Sequence, residues 1–214
     1  MEPGTRGAVN KHIVPVFIFL GIIALGLLFL ERQMQASQYE NDELATATVL
    51  PAPRSIHPFS LIDNQNKPFT EQTLQGHWTM MFFGYTECSS ICPVILAALK
   101  KVYEDLENKD PKLLPQFVMV SIDPKNDTPQ KLNRYVTSFN NSFKGATGSQ
   151  KMLESMTREF GIVYTTVANG QNTIEHSGTI LLFNPKGDLT AFFSFPSEAS
   201  AIAGDFVAIR AHVG

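Results

Sequence analysis

The apolar residues of this chain form one long run near the N-terminus and a series of shorter runs after residue 55. The long run covers residues 13–30, eighteen positions without a charged or strongly polar side chain. A helix of that length reaches about 27 Å, because each residue adds about 1.5 Å, and a bilayer core is about 30 Å thick. The pattern therefore predicts one transmembrane helix over residues 13–30.

Charged residues around this run predict its orientation. Arg6 and Lys11 precede it, whereas only Arg32 follows it before Arg54. Cationic flanks stay in the cytoplasm, so residues 1–12 are expected there and the remainder is expected to be exported. The predicted location is a single-pass protein of the inner (cytoplasmic) membrane, with its domain in the periplasm or an equivalent exported compartment.

A cleaved signal peptide is the alternative interpretation of the same run. Its apolar core would be about 7–15 residues long and would end in a small-residue cleavage site. Here the run is longer, and residues 31–36 (ERQMQA) contain no A-x-A pattern. These features favour a retained anchor.

Polar residues follow the run and then give way to alternating strand and helix patterns. Residues 31–55, with Pro51 and Pro53 near the end, are predicted to form a tether, and residues 56–214 a single domain. Continuous apolar runs predict buried strands, and a 3.6-residue period predicts helices. The predicted strands are Trp78–Tyr85, Phe117–Ile122, Ile162–Val167, Thr179–Phe183 and Leu189–Phe195, with helices opening at Pro93, after Thr128, near Gln150 and near Ser197. This order predicts an α/β domain with a mixed sheet flanked by helices.

Composition narrows the range of functions. An apolar share of 43% with sixteen Phe excludes disorder, and the formal charge of −3 argues against a nucleic-acid partner. Two cysteines are too few for a disulfide-dense scaffold or a four-cysteine metal cage. The chemistry of the chain therefore depends on how that one pair is used.

Cys88 and Cys92 follow the first predicted strand directly, in the segment GYTECSSICP. With Pro93 at the first helical position, Cys92 is expected at the helix N-cap, where the helix dipole favours thiolate. The C-x3-C spacing permits both a metal site and a disulfide. Thiolates suit Cu(I) and are also accepted by Zn(II), and a third ligand must come from elsewhere. The alternative is a staple disulfide, which would be weak because its loop is short.

Other polar residues could join the pair. Of the five histidines, His176 stands directly before a predicted buried strand, so it could reach the thiols at the edge of the sheet. Asp123 and Asp127 follow the second predicted strand and are expected at the same edge. Capping and turn formation is the favoured role for both, with positioning of the cysteine loop as the functional alternative.

Several segments, taken together and in order, resemble the Sco/SenC family over roughly residues 58–195. They are FFGYTECSSICPVIL, VSIDPKNDTPQKLNRYV, ATGSQ with EFGIVY, and EHSGTILLFNPKGDL. The resemblance implies a thioredoxin-like fold, a single membrane anchor, and a copper ion held by Cys88, Cys92 and His176. It also implies a role in assembling the dinuclear copper site of cytochrome c oxidase, by copper delivery or by reduction of that site's cysteines. Ser89 and Ser90 depart from the family, which usually has Pro-Asp or a similar pair there.

The expected function is that of a membrane-anchored copper metallochaperone rather than an enzyme. Its expected partners are the membrane, the copper-receiving subunit of cytochrome c oxidase, and a thiol reductase or copper donor. Two alternatives stay open: a membrane-anchored thiol–disulfide oxidoreductase, in which Cys88 and Cys92 are the redox-active pair, and a redox or copper sensor. The C-x3-C spacing and the lack of a proline before Thr179 argue against the oxidoreductase.

Overall fold

The computed structural model describes residues 20–30, 44–167, 173–176 and 178–213, and it leaves out the side chains of 165–167, 173–176 and 213. The chain divides into two compact units, Met1–Asp42 and Glu43–Gly214. In the first unit, residues 20–30 form helix α1, whose apolar side chains are exposed. Residues 13–19 of the predicted span lie outside the described residues. No helix within the described ranges combines the length and the hydropathy that a bilayer span needs.

The second unit is built on an eight-stranded mixed sheet. Its strands run in the order β1-β10-β9-β4-β5-β6-β2-β3, and a separate two-stranded sheet joins β7 to β8. The strands are β1 (Ala47–Arg54), β2 (Ser60–Asp63), β3 (Pro68–Thr70), β4 (Thr79–Gly84), β5 (Gln116–Ser121), β6 (Lys144–Thr147), β7 (Tyr164–Val167), β8 (Thr173–His176), β9 (Ile180–Phe183) and β10 (Leu189–Phe193). Among the strand pairs that the structure describes, β4–β5 and β5–β6 are parallel and the others are antiparallel. The α/β mixed sheet expected from the sequence is therefore confirmed.

Helices cover both faces of this sheet. They are α2 (Ile91–Lys109), α3 (Pro129–Thr137), α4 (Gln150–Glu159) and α5 (Ala199–Val213). Alternate residues of β4 point to opposite faces, so Met80 and Phe82 join one buried cluster with α2, α3 and α5, while Met81 and Phe83 join a second cluster with α4. Because β4 is covered on both faces, its residues 80–83 form an uninterrupted apolar run.

The tether predicted over residues 31–55 is wrong for residues 47–54. They form β1, which pairs antiparallel with β10, so the sheet begins before residue 56. Ala47 and Val49 are buried, whereas the residues around Pro51 and Pro53 are exposed on this edge strand, where prolines are tolerated. The Asp205 carboxylate of α5 secures the start of the strand, since it accepts hydrogen bonds from the backbone N–H groups of residues 45, 46 and 47 at 2.7–3.0 Å.

Some helices begin at the predicted residues and others do not. Thr128 caps α3 with Pro129 at the first helical position, as expected, and its hydroxyl accepts from the Lys131 amide. Helix α2, however, begins at Ile91 rather than Pro93, with Ser90 at the N-cap. Proline fits this third helical position because the first four amide groups of a helix lack intrahelical acceptors. Ser149 caps α4, which begins at Gln150 as expected.

Candidate metal centre

Three chain segments meet at one edge of the sheet. β4 and β5 are parallel and end in register, with Gly84 opposite Ser121, so the loops after them leave from the same edge. β9 runs antiparallel to β4, with Ile180 opposite Phe82, so the residues that lead into β9 arrive at that edge. This topology brings together the regions that hold the cysteines, Asp127 and His176, a grouping expected at strand carboxyl ends in α/β sheets.

The Cys88 sulfur lies at the beginning of α2. Its Sγ accepts a hydrogen bond from the backbone N–H of Cys92, at an N···S distance of 3.4 Å. Cys92 is the second residue of the helix, so the sulfur occupies the place where an N-cap side chain usually acts. The positive end of the helix dipole therefore faces Cys88 Sγ.

Cys92 is fully buried below it, against the end of β4. A Cβ at Gly84 would lie 3.0 Å from Cys92 Sγ, so the missing side chain at this position makes room for the sulfur. Burial, followed by the hydrogen bond with Cys88, raises the pKa of the Cys92 thiol. The two cysteines thus differ: Cys88 meets the helix dipole, and Cys92 is packed in an apolar environment.

Asp127 joins the cysteine loop to the loop after β5. Its carboxylate, with 1% exposure, accepts hydrogen bonds from the backbone N–H of Thr86 at 2.9 Å and from Ser121 Oγ at 2.6 Å. Lys131 extends the link, because its Nζ lies 2.7 Å from a Glu87 oxygen and 3.7 Å from Asp127 Oδ1. Asp127 therefore positions the cysteine loop. The sequence by itself favours capping and turn formation for this residue, with positioning of the loop as the alternative.

Asp123 has the other role, that of a turn residue. Its carboxylate accepts from Asn126 Nδ2 at 2.8 Å, and its backbone carbonyl accepts from the amides of Asn126 and Asp127. None of these bonds reaches the cysteine loop. The favoured turn role is therefore confirmed for Asp123.

His176 is the last residue of β8, where its backbone is paired opposite Tyr164 of β7. Its side chain lies outside the described residues. Two positions further on, Gly178 packs so closely on α2 that a Cβ there would lie 2.8 Å from Ile91 Cδ1. Two residues span at most about 7 Å, so the His176 Cα lies within that distance of Gly178. Among the described side chains, no group of three His, Cys, Asp or Glu residues is arranged to hold a metal ion.

Tyr135 is a neighbour of the site that sequence reasoning missed. Its hydroxyl is buried and has no hydrogen-bond partner among the described residues. Burial raises the pKa of Tyr135, and the charges of Cys92, Cys88 and Asp127 add to that effect. Its helical spacing with Leu132 and Val136 indicated only a core position, so no local signal distinguished it.

This arrangement places two buried sulfur atoms at one sheet edge. Soft sulfur ligands prefer Cu(I), and two of them leave coordination positions for a further donor. The same two sulfurs are close enough in sequence to close a disulfide when the loop bends. The geometry is therefore suited to metal binding and to thiol chemistry.

Comparisons with known proteins identify the family. The model described as SCO1/SenC matches residues 48–210. Protein SCO1 homolog 1, mitochondrial, of Arabidopsis thaliana is 34% identical over 153 residues, which cover 70% of this chain and 45% of that protein. Protein SCO2 homolog, mitochondrial, of Bos taurus is 30% identical over 217 residues, covering 99% of this chain and 78% of that protein.

A solved structure agrees with these matches. The crystal structure of Arabidopsis thaliana ScoI with copper bound has a TM-score of 0.67 at 29% identity, and the match covers 73% of this chain and 98% of the solved one. This similarity confirms the fold expected from the resemblance. Because the family match extends over residues 48–210, which is most of the chain, the protein belongs to the SCO1/SenC family.

Proposed function

We propose that this protein is a copper metallochaperone that binds its cargo through Cys88, Cys92 and His176. The observation that carries the proposal is the placement of both cysteine sulfurs at the sheet edge where the chain from His176 enters β9. Family membership supports it, since a relative of this fold has been solved with copper bound. The recipient would be the copper-receiving subunit of cytochrome c oxidase, whose dinuclear copper site the protein helps to assemble.

The ligand chemistry suits a carrier. Two thiolates and a neutral imidazole form a soft three-coordinate site that satisfies Cu(I) and leaves the ion open to attack by a new ligand. A disulfide between Cys88 and Cys92 would remove both sulfur ligands at once. Copper loading would therefore depend on the redox state of the pair.

A membrane anchor completes the proposal. Residues 13–30 would cross the inner membrane and leave the domain in the periplasm or an equivalent exported compartment. The uninterrupted apolar sequence supports this, as do the exposed side chains of α1, among them Leu25 at 73% and Phe29 at 66% exposure. Arg6 and Lys11 before the run support a cytoplasmic N-terminus.

An anaerobic Cu(I) titration of the full chain in detergent tests the ligand assignment. We expect the reduced protein to bind one copper ion per chain and the oxidised protein to bind none. Cys88→Ala, Cys92→Ala and His176→Ala should each abolish stoichiometric binding because each removes one of three ligands. X-ray absorption should show two sulfur neighbours and one nitrogen neighbour around the ion.

His57→Ala is the matched control for the histidine variant. Its ring is 88% exposed and lies 3.1 Å from Glu159, so its loss should leave copper binding unchanged. Unchanged stoichiometry in Cys88→Ala or in His176→Ala would contradict the proposed ligand set.

A thiol–disulfide oxidoreductase is the second candidate, and the position of Cys88 Sγ at the start of α2, where it accepts from the Cys92 N–H, favours it. Rapid reduction of a model disulfide, insensitive to His176→Ala, would support this activity over copper delivery. A redox or copper sensor uses the same site without transferring copper. Deletion of the gene should impair oxidase assembly, with rescue by added copper, only if the protein delivers the ion.

A further inference from the structure

Ser90 stands where a helix cap is expected, yet its side chain does not cap the helix. It is the N-cap residue of α2, with φ −112° and ψ −87°, and its hydroxyl accepts no hydrogen bond from the first turn. N-cap residues usually have an extended backbone, which aims the side chain at the second or third amide. The Ser90 hydroxyl instead lies 3.7 Å from Cys88 Sγ, within hydrogen-bond range for sulfur.

The Cys88 sulfur therefore has two described polar contacts on the helix side. Its Sγ accepts from the Cys92 backbone N–H at 3.4 Å, and it lies 3.7 Å from the Ser90 hydroxyl, where either group can be the donor. Cys88 Sγ already accepts the hydrogen bond of the Cys92 N–H, so the Ser90 hydroxyl is not needed as an acceptor for that group. The Ser90 side chain does not cap the helix, and its described interaction is the contact with Cys88 Sγ.

This contact depends on the redox state. A disulfide requires the two sulfur atoms to approach to about 2.05 Å, so Cys88 Sγ must move toward Cys92 and loses its S–H. A disulfide sulfur is also a poorer hydrogen-bond acceptor than a thiol or thiolate sulfur. A hydrogen bond between Ser90 and Cys88 is therefore stronger in the dithiol form than in the disulfide form.

We propose that Ser90 is a positioning residue that shifts the Cys88–Cys92 couple toward the dithiol. The balanced reaction is an exchange with glutathione, a small thiol reductant. Two glutathione thiols give up two electrons and form one S–S bond, the Cys88–Cys92 bond breaks, and the two protons pass to the two cysteine sulfurs. Removing one hydrogen bond from the product side should lower the equilibrium constant of this reduction.

The inference rests on the proposed function only in taking the dithiol as the copper-binding form. The test uses metal-free full chain in detergent with a chelator present. Mixtures of reduced and oxidised glutathione set the redox balance, and alkylation followed by mass spectrometry counts the thiols. Failure to bind copper would thus leave the result intact.

We expect Ser90→Ala to lower the equilibrium constant for reduction about threefold to tenfold, the effect of one neutral hydrogen bond. A tenfold change corresponds to about 30 mV for this two-electron couple. Ser90→Thr retains the hydroxyl and should stay near the parent value. Ser89→Ala is the matched control, because this neighbouring serine is exposed, as Ser90 is, but has no described contact with either sulfur.

Urea unfolding of both redox forms separates this role from a structural one. Ser90→Ala should destabilise the reduced form and leave the oxidised form unchanged. A simple helix cap would stabilise both forms equally, so equal losses with an unmoved equilibrium constant would overturn the proposal. An equilibrium constant for Ser90→Ala equal to that of Ser89→Ala would overturn it as well.

Discussion

At the scale of single residues, the site contains polar groups whose surroundings differ sharply from those of ordinary surface residues. Asp127 satisfies its buried carboxylate with several donors, whereas Tyr135 buries a hydroxyl without a described partner. A desolvated polar group of that kind costs stability, and buried polar groups normally avoid it. Tyr135 therefore carries a desolvation cost close to the site.

Replacement of Tyr135 by phenylalanine tests this cost. We expect Tyr135→Phe to raise the free energy of unfolding by about 1 kcal/mol, because the variant no longer desolvates a hydroxyl. Urea denaturation of the metal-free protein measures the change. Tyr103→Phe is the matched control, since the Tyr103 hydroxyl donates to Glu107 at 3.1 Å on the surface and its loss should destabilise slightly. A loss of stability in Tyr135→Phe would show that the hydroxyl has a favourable partner.

At the scale of elements, the decisive feature is the pair of loops that leave β4 and β5 at one edge. Parallel strands in register place the two loops side by side, and the Asp127 carboxylate joins them through Thr86 and Ser121. The hydrogen bond to Glu87 raises the pKa of Lys131, whose ammonium group contacts both Glu87 and Asp127 and so adds to the same link at the surface. The cysteine loop is thus held by the loop after the neighbouring strand as well as by its own helix.

Asp127→Asn tests this link between loops. An amide in place of the carboxylate presents a donor to groups that are themselves donors, so we expect the free energy of unfolding to fall by about 2–4 kcal/mol. Amide hydrogen exchange should accelerate at Thr86 and through the cysteine loop. Asp123→Asn is the matched control from the same loop and should leave exchange at Thr86 unchanged. Equal exchange rates in the two variants would contradict a positioning role for Asp127.

At the scale of the whole molecule, the chain combines an apolar N-terminal segment with a compact sheet domain. The Asp205 carboxylate of α5 accepts hydrogen bonds from the backbone at residues 45–47, where the first strand of the domain begins. The last helix and the first strand are therefore connected directly, across the full length of the domain's sequence. This connection defines where the folded unit begins.

The proposed anchor leads to a whole-molecule prediction. Expressed in a Gram-negative host, the full chain should remain in the membrane pellet after extraction at alkaline pH, and protease added to spheroplasts should digest its domain. Leu20→Lys combined with Ile23→Lys should release the protein, because charges at the centre of a span cost about 2.5–3.5 kcal/mol each. Release of the unchanged chain, or protection of its domain in spheroplasts, would contradict the proposed location.

The sequence alone determined the features that depend on neighbouring residues. The apolar run of β4, the helix pattern after Cys92, the Thr128–Pro129 start of α3 and the position of the cysteines after a buried strand all follow from local periodicity and capping. These signals are readable because side-chain period and backbone conformation are coupled within a few residues. Resemblance to the family then supplied the expected ligand set.

Tertiary structure decided the features that depend on distant residues. β1 required a partner strand and Asp205 from α5, so its proline-containing sequence indicated a tether instead. The choice of Asp127 over Asp123 as the residue that holds the cysteine loop required the register of β4 with β5. Ser90 took the cap position without capping, because a sulfur two residues earlier already accepts the helix amide. Long-range hydrogen bonds leave no local pattern in the sequence, so only the folded chain reveals them.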